Sequence, residues 1–203
     1  MHVHETILSA PVLAAGGIAA IGGVAWGLKK LDYHRVPQVG VLATTFFVVS
    51  FIHVPAGPIS VHLMLNGLSG LLLGWCAFPA ILVGLLLQVP LQHGGFTTLG
   101  VNTMITALPA IACYYLFGRL VRGVRPTAAT IAGGACGATA VLLSSLLMAA
   151  CLIHTDKGFV TTAKLAVIAH VPVMGIEAVV TGAVVAFVRR VRPRILEAPQ
   201  ARH

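Results

Sequence analysis

Charge is scarce in this chain. Only 9% of its 203 residues are Asp, Glu, Lys or Arg, and just five of those are acidic. So few polar groups cannot clothe a water-soluble globule. No Lys or Arg precedes Lys29, so the positive segment that opens a secretory signal peptide is missing. The chain is therefore expected to keep its own start, with Met1 in place because His2 is too bulky for the usual trimming. Paired CxxC spacing is absent; Cys76, Cys113, Cys136 and Cys151 all fall in apolar runs, which excludes a zinc knuckle or disulfide framework and leaves them as small core hydrophobes. No GxxxxGK[ST] and no HExxH occurs, so neither a nucleotide-hydrolysing loop nor a zincin helix is present. The formal charge of +8 is not a nucleic-acid signal, because the basic residues sit in short clusters between apolar runs, where a membrane topology signal belongs.

What is abundant is apolar sequence: 58% of the residues are hydrophobic and the mean hydropathy is +0.96. Seven apolar segments follow one another, at residues 6–28, 38–54, 59–74, 76–91, 99–117, 127–153 and 161–188. The first is long enough to cross a hydrocarbon core at ~1.5 Å per residue. The third and fourth are at or below the spanning minimum, so they are two short spans or a hairpin entering partway. Ala15, Ala19 and Gly23, and again Gly133 and Gly137, place small residues at four-residue spacing for close helix approach, within the protein or against a partner.

Eleven of the thirteen Lys and Arg lie in alternate loops, at 29–35, 119–125 and 189–202. The positive-inside rule then gives an all-α membrane protein, a bundle of about seven transmembrane helices with its N-terminus outside and its C-terminus cytoplasmic. Residues 1–190 read as one transmembrane domain and 191–203 as a basic, disordered tail. On this topology His2, His4, His53, His62, His93 and His154 gather at the outer face. Histidine is costly in lipid and tends to face a cavity or a partner.

The start of the chain, Met1-His2-Val3-His4-Glu5, carries chelating chemistry. A free terminal amine, the His2 amide nitrogen and the His2 imidazole close two fused rings on a metal. Three nitrogens in a plane leave one place for a ligand from elsewhere, a set suited to square-planar Ni(II) or Cu(II) and less obviously to Co(II). Such a site releases protons on binding and weakens in acid.

Residues 58–88, PISVHLMLNGLSGLLLGWCAFPAILVGLLLQ, and 93–110, HGGFTTLGVNTMITALPA, together with the Met-His start, resemble the CbiM/NikM family. Its members are substrate-binding (S) components of energy-coupling-factor transporters for cobalt and nickel. The resemblance covers most of residues 1–120 and fades beyond. It implies an N-terminal segment inserted into the bundle, with metal ligands Met1, His2 and His62, His62 filling the open place. It also implies partners: a transmembrane T component, ATPase subunits that carry the ATP hydrolysis, and a small accessory membrane protein. The chain itself would be no enzyme and hold no cofactor, its Ni(II) or Co(II) being cargo captured at the outer face of a cell inner membrane.

Other residues have roles that are less determined. His4 departs from the family pattern and is expected to compete with His2, supply an axial ligand or help the ion approach, and Glu5 is expected as a carboxylate that orients His2 or the amine. His93 is expected to be structural or to help the ion approach. Asn66, Thr97, Thr98 and Asn102 could bond the ligand set or tie helix to helix. His170 and Glu177, seven residues apart within segment 161–188, share one helical face; they read as a His–Glu pair holding helices together or as a partner contact. The competing functions are a b-type cytochrome, with ligands among His53, His62, His154 and His170, and a proton-coupled secondary metal transporter that would use the intramembrane His170 and Glu177.

Overall fold

A computed structural model describes residues 7–56, 59–91, 95–123 and 125–196. The elements are α1 (Ala10–Lys29), α2 (Val36–Val49), β1 (His53–Ala56), β2 (Ile59–His62), α3 (Asn66–Leu73), α4 (Ala77–Gln88), α5 (Leu99–Arg122), α6 (Pro126–Thr155), α7 (Val160–Ala169) and α8 (Val171–Val191). Proline punctuates them: it stands in the first turn of α1, α2, α6 and α8, where its missing N–H has no helical partner to lose. One hydrophobic cluster runs from Leu8 to Leu196, and large apolar side chains such as Ile18 and Ile21 of α1 point outward, as lipid-facing surfaces do.

Five helical stretches among the described residues are long and apolar enough to cross a membrane: Ala10–Lys29, Asn66–Leu91, Leu99–Arg122, Pro126–Thr155 and Lys157–Val191. Three details differ from the seven-segment expectation. Segment 38–54 is not helical to its end: α2 stops at Val49, and His53 opens an antiparallel β-hairpin paired His53↔His62, Val54↔Val61, Pro55↔Ser60 and Ala56↔Ile59. Segment 161–188 is two helices, broken at His170, since Pro172 cannot donate the N–H that would continue the first helix into the second. The segment read as a disordered tail begins with a 3-10 turn, Pro193–Leu196, whose buried Leu196 offers its carbonyl to Arg122 Nε at 2.7 Å.

The third and fourth segments form a hairpin inside the bundle. Leu72 O at the end of α3 accepts from Arg35 Nη2 at the start of α2 (3.1 Å), whereas Gly84 of α4 lies against Phe46 near the end of α2. The chain reverses between them at Gly74, whose φ of 57° a residue with Cβ rarely adopts. Close backbone approach packs both arms. A methyl at Gly70 would overlap the Ala110 carbonyl of α5, and one at Gly137 of α6 would overlap the Glu177 carbonyl of α8. On α1 it is Gly16, Gly23 and Gly27 that receive Val101, Phe78 and Trp75 with Pro79, while Ala15 and Ala19 are exposed.

These contacts give the bundle two poles. Lys29 and Lys30 lie over the Trp26 ring at 5.5 and 5.6 Å, Trp26 meets Trp75, and Arg189 Nη1 donates to Val121 O and Gly123 O at 2.6 and 2.7 Å. All three basic clusters therefore share one pole. The other holds the start of α1, tied by Ser9 N to Thr155 Oγ1 of α6 (3.2 Å), together with the β-hairpin and the break at His170.

Candidate metal centre

His62 ends β2, buried, at the pole away from the basic clusters. Val61 beside it packs with Val141, Ala169 and Val173, which seats the hairpin on α6 and the α7–α8 junction. Its ring Nδ1 is 3.0 Å from Leu63 O. A carbonyl can only accept, so Nδ1 carries the proton and, in the neutral ring, the lone pair resides on Nε2. That is the arrangement a metal-ligating histidine adopts when a backbone carbonyl sets its tautomer. Across the hairpin, His53 meets the His62 ring edge to face, centroids 6.2 Å apart; His53 is exposed and its Nδ1 lies 2.8 Å from Phe51 O.

After His62 the chain runs through Leu63, Met64 and Leu65 into α3, all buried. Glu177 of α8 receives this segment: its Oε1 accepts from Met64 N (2.5 Å) and Leu65 N (2.8 Å). Asn66 then ties three helices, Nδ2 donating to Thr106 O of α5 (3.1 Å) and Ser144 Oγ of α6 (2.9 Å). Asn66 is therefore a helix tie, the second of its two expected roles. Thr98 Oγ1 bonds Gly95 O and receives Asn102 Nδ2 within the first turn of α5.

His170 is buried at the α7–α8 break, Nδ1 2.6 Å from Ala166 O and Nε2 without a hydrogen-bond partner among the described residues. The expected His170–Glu177 pair does not form. His170 Nδ1 is bonded to Ala166 O of α7 and Glu177 Oε1 to the Met64 and Leu65 amides, and seven helical residues set the two about 10 Å apart along the axis, too far to meet. His154 ends α6, exposed. Met1, His2, His4, Glu5 and His93 lie outside the described residues, and among those described no trio of His, Cys, Asp or Glu is close enough to hold an ion. Of the four expected ligands, His62 alone is in view. The Glu177 contact to Met64 and Leu65 escaped sequence reasoning; its one signal was a carboxylate inside an apolar run.

The chain is 38% identical over 208 residues to a putative metal transport protein of Haemophilus influenzae, covering 97% of each. It is 25% identical to a putative fused nickel transport protein NikMN of Archaeoglobus fulgidus, over 97% of this chain and 68% of that one. A crystal structure of a truncated transition metal transporter superposes with a TM-score of 0.74 at 25% identity, covering 94% of this chain and 99% of the other. The family model for CbiM, the cobalt uptake substrate-specific transmembrane region, matches residues 2–195. The chain belongs to the CbiM family and is a multi-pass membrane protein of metal uptake.

Proposed function

We propose that this protein is the substrate-capture component of an ATP-driven, energy-coupling-factor importer of Ni(II) or Co(II). The ion binds at the histidine pole, which faces outward because the basic pole belongs in the cytoplasm. Its equatorial donors are the Met1 amine, the His2 amide and imidazole nitrogens, and His62 Nε2, with His4 available as an axial ligand. The observation that carries this reading is His62: buried, its Nδ1–H committed to the Leu63 carbonyl, its basic nitrogen therefore Nε2. Cobalt is supported by the family description and nickel by the NikMN relative. Selectivity comes from geometry and ligand type more than from raw affinity, because affinity order alone would favour Cu(II).

The captured ion needs an energy source that this chain lacks, and it comes from partners: a transmembrane T component, ATPase subunits and a small accessory membrane protein. The fused architecture of NikMN, in which the region like this chain makes up about two thirds, supports assembly with further components. Titration of the purified full chain with Ni(II) tests the reading. One ion per chain with the visible absorption of planar Ni(II), lost in His62→Ala, is expected; binding with octahedral absorption, indifferent to His62, would sink it.

A further inference from the structure

Glu177 is fully buried, and its carboxylate reaches across from α8 to a segment 112 residues earlier in the chain. Oε1 takes both the Met64 and the Leu65 N–H, at 2.5 and 2.8 Å, while Oε2 has no hydrogen-bond partner among the described residues. The recipient is unusual. Leu65 has φ of 48°, the one positive φ outside glycine among the described residues, a conformation that crowds the Cβ of any residue but glycine. A strained residue persists where its surroundings over-determine it. Here they do: Glu177 holds Leu65 N, and Ser69 bonds Leu65 O through both its N–H (2.9 Å) and its hydroxyl (3.0 Å). The strain sits three residues from His62. It lets the chain turn from the β2 strand into α3 while keeping His62 at the pole and Asn66 in the core.

We propose that Glu177 is a positioning residue of the metal site, which sets the His62 imidazole by clamping the Met64 and Leu65 amides to α8. The assignment rests on the reading that His62 is a ligand. α8 can serve as the reference because the Glu177 backbone carbonyl packs on Gly137 of α6, so closely that a methyl there would overlap it. The hydrogen-bond acceptor is what matters, so Glu177→Gln, whose amide oxygen accepts the same two bonds, keeps the clamp. Glu177→Asp keeps the charge but is one methylene short and loses it.

The test is Ni(II) binding by calorimetry and visible absorption to the purified full chain and to Glu177→Ala, Glu177→Gln, Glu177→Asp and His62→Ala, each checked for monodispersity. Loss of an outer partner of a ligand weakens metal binding about 10–100-fold. Glu177→Ala and Glu177→Asp should fall in that range with a shifted absorption band at saturation, and Glu177→Gln should match the unsubstituted chain. If Glu177→Ala is not monodisperse, the Gln and Asp variants decide. Retained affinity in Asp with loss in Gln would overturn the clamp in favour of charge, and retained affinity in Ala would overturn it outright. Loss in His62→Ala beside unchanged Glu177 variants removes only this inference; unchanged binding in His62→Ala removes the underlying site as well.

Discussion

His53 and His62 are partners at the open end of the β-hairpin, their rings edge to face with centroids 6.2 Å apart. They differ in what surrounds them. His62 is buried and His53 exposed. His53→Ala, which removes an edge-to-face ring contact, is expected to weaken Ni(II) binding by less than about tenfold, below the 10–100-fold range of a hydrogen-bonded outer partner, whereas His62→Ala should exceed ~100-fold, above that range. Equilibrium dialysis with radiolabelled nickel reads both, and equal losses would show that the two histidines act as a ligand pair.

Helix packing makes a separate prediction. Gly70→Ala drives a methyl into the Ala110 carbonyl, backbone that cannot swing aside, and should cost about 3 kcal/mol or more. Gly22→Ala faces open space on α1 and should be neutral or stabilising by up to ~1 kcal/mol. Thermal unfolding in one detergent compares them. A Gly70→Ala variant as stable as the parent would show that α3 does not sit against α5 as described.

Acid should weaken capture. Amine and imidazole bind metal only when deprotonated, and their ordinary pKa values lie near 7.7–8.0 and 6.5. As pH falls through that range each proton competes with the ion, so affinity should drop on the order of tenfold per pH unit for each nitrogen being protonated. Nickel titrations from neutral to mildly acid pH measure the slope, and a flat profile would contradict a nitrogen ligand set.

Much of the architecture was legible because its signals are local. The apolar runs of residues 6–28, 99–117 and 127–153 became α1, α5 and α6 with their ends moved by a few residues. The helix break at His170 was missed, because segment 161–188 is apolar on both sides of Pro172. The β-hairpin was missed too, since its four-residue strands are shorter than any periodicity can declare. In the site, His62 was legible through its motif, but its tautomer was not, because the Leu63 carbonyl is a conformational partner and not a pattern. Glu177 could be flagged as costly but not given a partner: 112 residues separate it from Leu65, and only the packing of α8 on α6 and of α3 on α5 brings them together.

The central claim is that the first residue's amine completes a plane with His2 and His62. Placing one extra residue ahead of Met1 moves the amine out of the chelate and leaves every side chain in place. Calorimetric Ni(II) titration of the purified chain with and without that residue tests the claim most directly. The extension should abolish high-affinity binding and the planar Ni(II) absorption; undiminished binding by the extended chain would show that the amine is not a ligand.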